Sequence, residues 1–235
     1  MNLKLLVSLP FVCCAAFSQG STVPPPVARI VTVPELSTSP LRPYGRAGAT
    51  VDVLGLVATT GTMQTWTMEM HPTFASIEDL DKALGIPMLV NLTDARAMIA
   101  TLQPASSCLP DEAMRSLPKA RYVRVTIYRI RPGSEGEFDA IARSRKVTAE
   151  RLDSVHANLF YRVVSGDDAG TYIAISPLAS LSVLDGGTAD PESSGVSGKE
   201  AEIEIGREHY LFRVEPRLSH VSTEFANGDP SFWRP

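Results

Sequence analysis

The clearest pattern in the chain is a run of alternating side chains at 121–130. Val123, Val125 and Ile127 point one way, and Tyr122, Arg124, Thr126 and Tyr128 the other. A period of two belongs to a strand with two unlike faces. Pro132 and Gly133 end it. Ser134 and Glu137 then have capping-box spacing, in which a hydroxyl and a carboxylate each satisfy an amide of the first helical turn. The helix that follows runs to about 153. It sets Phe138, Ile141, Ala142, Ala149 and Leu152 on one side and Arg143, Arg145, Lys146 and Glu150 on the other, an apolar stripe backed by a solvated face. Strands are predicted at 156–164, 171–176 and 208–214, with a turn at 165–170, a short helix at 177–184 and a Gly/Ser/Asp-rich loop at 185–198.

The first half carries a related but less regular pattern. A strand is predicted at 28–33, and a hairpin at 50–58 and 62–70. Segment 34–48 holds three prolines and reads as loop. A helix is predicted at 72–84, with Thr73 as cap and Phe74, Ile77, Leu80 and Leu84 on one face. A second is predicted at 92–102, where Ala95, Met98, Ile99 and Leu102 form a stripe. Breaks at Pro104, Ser106, Ser107, Pro110 and Pro118 mark the boundary between the halves.

This order predicts an α+β chain of two ferredoxin-like modules, each a split β-α-β sheet with helices on one face. The first module, 28–118, is degenerate: it lacks a long helix after its first strand and an evident fourth strand. The second spans 119–217, and a polar tail at 218–235 wraps the body. Two such sheets packed face to face leave a space between them as the natural ligand cavity.

The N-terminus changes the expected location. Lys4, the apolar run 5–17 and the small residues Ala16 and Ser18 have the order of a secretory signal at 1–18, and the run is too short to span a bilayer. The protein is therefore expected to be exported, periplasmic or secreted, with a mobile Pro-rich leader at 19–27 and no membrane span after cleavage. Loss of Lys4 takes the formal charge from −4 to −5, which gives no electrostatic reason to expect nucleic acid. Of the three cysteines, Cys13 and Cys14 leave with the signal. Cys108 alone cannot form an internal disulfide. No histidine or basic cluster adjoins it to activate the thiol, so it reads as an ordinary small residue.

The run from Arg121 to Gly133, followed by Glu137 and Phe138, resembles the opening strand and helix of the dimeric α/β-barrel fold, which includes antibiotic-biosynthesis-monooxygenase-like domains. More narrowly, the chain resembles a group of uncharacterised exported bacterial proteins with two such modules. A Ser-Pro turn, here Ile175 to Leu178, recurs among them, as do tail segments like Ser219 to Ser222 and Asp229 to Trp233. The resemblance implies a fold that hosts several unrelated activities.

No phosphate loop, nucleophile elbow, zinc-binding motif or metal-spaced cysteine pair is present. His71, His156, His209 and His220 are scattered, and neither metal nor cofactor is expected from their spacing. Pocket candidates are Trp66, His71, Arg124, Tyr128 and Tyr161, with Tyr172 as a further mid-strand aromatic. Shared inner faces would give the aromatics an apolar lining with hydroxyls to orient a ligand. A charge in mid-strand needs water, a partner or an anion, so Arg124 is expected to pair with Glu69 or to meet a carboxylate ligand. Two functions follow. One is a non-enzymatic protein, with a monomer favoured, that binds a small apolar or aromatic ligand. The other, implied by the resemblance, is a cofactor-independent monooxygenase-like or haem-handling enzyme.

Overall fold

The computed structural model describes residues 23–34, 50–61, 63–85, 95–151, 157–185 and 198–234. Eight strands close into one antiparallel barrel. They are β1 (Val27–Pro34), β2 (Asp52–Ala58), β3 (Gln64–His71), β4 (Arg96–Leu102), β5 (Tyr122–Ile130), β6 (Leu159–Ser165), β7 (Thr171–Leu178) and β8 (Glu204–Val214). The helices are α1 (Ala75–Leu84), α2 (Pro110–Ser116), α3 (Glu135–Arg151), α4 (Gly198–Ile203), α5 (Thr223–Ala226) and α6 (Pro230–Trp233). Around the barrel the strands run β1-β3-β2-β8-β5-β7-β6-β4. Each half therefore contributes four neighbouring strands in the order fourth, first, third, second.

The halves do not simply face each other as two open sheets. Leu56 pairs with Val214 where β2 meets β8, and Ala100 with Val163 where β4 meets β6. Both edges of each half are thus hydrogen-bonded, which removes the exposed strand edges of an open sheet.

Strand β4 corrects the helix expected at 92–102; the first part of that segment lies outside the described residues. Met98 and Leu102 fit the helical stripe but also, with Ala100 between them, a period of two, and all three pack in or against the barrel core. Backbone pairing with both β1 and β6 decides between the two periods, because tertiary context overrides helix propensity. Strand β4 is also the fourth strand that the first half was expected to lack. At 177–184 the expected helix is shortened: β7 continues to Leu178, and a 3₁₀ turn follows at Leu181–Leu184. In the first turn of α3, Glu135 rather than Glu137 reaches back, accepting from the Gly133 amide at 2.9 Å.

One end of the barrel is closed. Ala113, Leu117, Ala120 and Phe225 join its inner core, and Met114, Val221, Phe232 and Trp233 pack against it. The tail is fastened there by Trp233 Nε1, which donates to Pro118 O at 2.7 Å, and by the Arg121–Asp229 ion pair. Ser222 and Asp229 cap α5 and α6 by accepting from Phe225 N and Phe232 N. Residues expected as a mobile leader also meet this end: Pro24 and Pro25 are buried, and Val27 opens β1.

Outside the barrel, α3 covers Tyr128, Ile130, Phe160, Tyr172 and Ala174 through Phe138 and Ala142. Leu80 of α1 packs on Val53 and Val57. Among the described residues no helix is long and apolar enough to cross a membrane.

Candidate functional site

The open end of the barrel holds a cavity of about 560 Å³. Trp66, Met98 and Ile127 form its apolar part, and Thr32, Gln64, Arg96, Arg129, Asp167, Glu208 and Tyr210 bring polar groups to it. Strand alternation explains the lining. Val123, Val125 and Ile127 are inward on β5, so Arg129 is inward two residues later, near the mouth. On β8 the inward series Val214, Phe212 and Tyr210 ends in the same way at Glu208. A register shift between Arg129 and Ile130 interrupts the β5–β8 pairing beside the cavity, a place where bulges commonly re-aim side chains.

Much of the charge here is matched. Arg129 Nη1 donates to Asp167 Oδ1 at 3.1 Å and Oδ2 at 3.2 Å, and Arg129 Nε donates to Glu208 Oε1 at 3.1 Å. Tyr210 donates to Glu208 Oε2 at 2.6 Å. Burial disfavours the charge on Arg129, but hydrogen bonds to Glu208 and Asp167 outweigh it and raise the guanidinium above its ordinary value. Burial, then the bond to Glu208, raises the Tyr210 phenol. It remains a donor at neutral pH.

Trp66 is the exception. Its ring is 3% exposed and packs on Phe212 and Tyr210, at centroid distances of 4.8 and 6.0 Å. Its Nε1 is buried and has no hydrogen-bond partner among the described residues. An unmet buried donor costs about 1–3 kcal/mol. Trp66 lines the cavity, and a small turn of the ring that opened Nε1 to it would let a ligand's acceptor atom remove that cost.

The five predicted pocket residues are not brought together. Trp66 alone lines this cavity. Tyr161 faces into the barrel but lies toward the closed end, where its hydroxyl donates to Pro25 O at 3.1 Å. Tyr128 and Tyr172 lie on the outer face under α3. The Arg207 guanidinium stands 4.9 Å from the Tyr128 ring centre, and Tyr172 donates to Asp139 at 2.9 Å. Arg124 is half-buried on that same outer side, opposite Ser176 and Leu211. The Glu69 partner expected for it belongs to Arg29 in the other half, at 2.7 Å.

His71 is also outside the barrel and fully buried, with Nε2 2.8 Å from Glu69 and Nδ1 3.0 Å from Ser76 Oγ. This Ser–His–Glu chain is not arranged as a nucleophile and its base. The serine gives its single proton to Thr73 O at 2.7 Å, so it can only accept from His71 Nδ1–H. Both ring nitrogens are engaged, which leaves no lone pair for axial ligation. Of the other histidines, His209 lies within β8 with Nδ1 3.2 Å from Thr126 Oγ1. His220 bridges to Val53, and His156 lies outside the described residues. Cys108 is buried, its amide donating to Asn158 Oδ1 at 3.0 Å. Among the described residues no group of three or more His, Cys, Asp or Glu is placed to hold a metal ion.

A proposed monooxygenase of Lactobacillus acidophilus NCFM matches 80% of this chain and 93% of its own, at 7% identity and a TM-score of 0.54. A second proposed monooxygenase, from Fusobacterium nucleatum, matches 82% of this chain and 93% of its own, at 8% identity and 0.52. An anthrone oxidase-like protein matches 83% and 93%, at 10% identity and 0.51. The fold is that of the dimeric α/β-barrel proteins. At these identities the likeness concerns the fold alone. No protein-family model and no curated protein matches the sequence.

Sequence reasoning missed Thr32, Arg96, Arg129, Asp167, Glu208 and Tyr210. A signal for two of them was present: the inward series on β5 and β8, continued to the strand ends, reaches Arg129 and Glu208.

Proposed function

We propose that this protein binds a small, flat, largely apolar ligand in the open mouth of the barrel, with a hydrogen-bond acceptor directed at Trp66. The unpartnered indole N–H carries this reading. The cavity is of ligand size, and it combines an apolar part with a few polar groups, as small-molecule sites do. Fixed ion pairs around Arg129 support a preorganised wall, which lowers the ordering cost of binding.

The order fourth, first, third, second in both halves supports reading the chain as two ferredoxin-like modules, each lending one sheet. Because the edges are paired within the chain, a monomer is the consistent state. The signal-like segment 1–18 supports export, and N-terminal sequencing of secreted protein, expected to begin at Gln19, tests that.

A second reading, proton-transfer chemistry on a phenolic substrate, draws on the names of the structural neighbours and on the Tyr210–Glu208 pair inside the cavity. Both oxygens of Glu208 already accept, one from Arg129 and one from Tyr210, so neither is placed to take a substrate proton. Binding is therefore the preferred function. Oxygen uptake with anthrone, abolished in Tyr210→Phe, would reverse that preference.

The binding reading is tested by the indole resonances of ¹⁵N-labelled mature protein, which has two tryptophans. Trp233→Phe leaves only the Trp66 signal. Titration with 2-naphthamide, a neutral planar acceptor, should move that signal downfield and raise the melting temperature as ligand occupies the native state. A bound probe that leaves the Trp66 resonance in place would defeat the assignment of this cavity.

A further inference from the structure

Charge is unevenly distributed between the two walls of the cavity. On the wall from the second half every charged group is hydrogen-bonded, with Arg129 held by Asp167 and Glu208 and Glu208 also accepting from Tyr210, and one carboxylate charge is in excess. The wall from the first half carries donors without acceptors of comparable strength. Arg96 lines the cavity, is exposed, and makes no ion pair among the described residues.

Strand register relates Arg96 to the unmet donor. Thr32 of β1 stands opposite Trp66 on β3 and opposite Arg96 on β4. The three residues form one cross-strand row on the inner face. Strands lie about 4.8 Å apart, so the Trp66 and Arg96 backbones are separated by about 10 Å across Thr32. The row offers a buried neutral donor at one end, a hydroxyl between, and a cation at the solvent-facing end.

We infer that the barrel mouth selects an aromatic carboxylate: its ring system over Met98 and Ile127, an acceptor near Trp66 Nε1, and its anionic group on Arg96. This rests on the binding function proposed above and names the ligand class of the same site. Two observations carry it independently, the unpartnered indole and the unmatched guanidinium in register with it. The guanidinium presents a planar fork suited to a carboxylate. Asp167 and Glu208 bring two negative charges against the single positive charge of Arg129, so the anion is placed at Arg96, on the wall away from that excess.

The test compares 6-hydroxy-2-naphthoate, whose ring hydroxyl supplies the acceptor and whose carboxylate supplies the charge, with its neutral isostere 6-hydroxy-2-naphthamide by calorimetry, with the Trp66 indole resonance followed in parallel. Naphthoate should bind about tenfold more tightly, the order expected for a charge-assisted hydrogen bond at a partly exposed site. That advantage should shrink as salt is raised from 0.05 to 0.5 M. Arg96→Gln should bring the two probes to parity. Equal affinity in the unaltered protein, or a preference that persists in Arg96→Gln, overturns the inference while leaving the binding site intact. Failure of both probes to bind or to move the Trp66 signal removes the site and the inference together.

Discussion

The hydroxyl of Tyr210 donates to Glu208 at 2.6 Å inside the barrel mouth. Through the other oxygen of that carboxylate the contact continues to Arg129, and from there to Asp167 in the turn after β6. One hydrogen-bonded line thus ties β8, β5 and the β6–β7 turn together on the second-half wall. Each member is matched, so the network stiffens the wall without leaving a costly orphan. The unmet groups lie on the wall opposite, at Trp66 and Arg96.

Tyr210→Phe separates the ring of Tyr210 from its hydroxyl. The ring packs against Phe212 at a centroid distance of 5.9 Å as well as on Trp66. Loss of the hydroxyl alone should cost about 0.5–1.5 kcal/mol, since Glu208 keeps Arg129. Tyr210→Ala should cost distinctly more, because the aromatic contacts go too. Urea unfolding of the two variants checks this, and equal costs would contradict it.

Alkaline pH should destabilise the fold through buried phenols. Burial raises Tyr161 above the ordinary tyrosine value; burial and Asp139 do the same to Tyr172, and burial and Glu208 to Tyr210. A group whose folded pKa is raised keeps its proton longer in the native state. Its contribution is complete below the unfolded value of about 10 and is lost as pH rises through the folded one. Stability should therefore be insensitive to these groups at neutral pH and fall above about pH 10. Tyr161→Phe should flatten part of that fall. A variant whose alkaline slope matches the unaltered protein would show that Tyr161 does not contribute.

The outer cluster around Glu69 should matter for stability more than for binding. Its carboxylate, fully buried, accepts from Arg29 and is bonded to His71. Glu69→Gln leaves the Arg29 guanidinium facing an amide and alters the His71 contact, and breaking a buried pair in this way costs about 3–5 kcal/mol. Asp81 also pairs with Arg29 but is half exposed; Asp81→Asn should cost less than about 1 kcal/mol. The pair of urea midpoints, read with unchanged slopes, decides the matter. A loss at Glu69 no larger than at Asp81 would be inconsistent with a buried anchor.

Much of this fold was legible in the alternation of single strands. The period of two at 121–130 divides Val123, Val125 and Ile127 from Arg124, Thr126 and Tyr128, and the structure keeps that division. What alternation could not say was which side would become the interior. That choice is made when β2 meets β8 and β4 meets β6, contacts between residues far apart in sequence. Arg124 and Tyr128 therefore fell outside the cavity, whereas Trp66 fell within it. The 92–102 segment shows the same limit: its apolar spacing satisfied two periods, and only the strands on either side selected one.

Gly166 sets the turn that carries Asp167, and it has no room for a side chain. Its φ is +94°, and a Cβ there would lie 2.0 Å from Ala97 O and 2.7 Å from Met98 Cα. Both contacts are with the backbone of β4, held at these residues by its pairing with β1 and anchored to β6 from Ile99 onward. The turn, not β4, must move, and Asp167 moves with it away from Arg129. Gly133 provides the control: its φ is +92°, and nothing lies within 4 Å of a built Cβ. Gly133→Ala should cost only backbone strain, about 1–3 kcal/mol. Gly166→Ala should exceed it, and should leave a naphthoate preference that Arg96→Gln no longer abolishes, because Arg129, released from Asp167, offers the anion a second cation. Urea midpoints of both variants measure the first effect and calorimetry the second. If Gly166→Ala proves no more damaging than Gly133→Ala, the close packing of this turn on β4 does not hold.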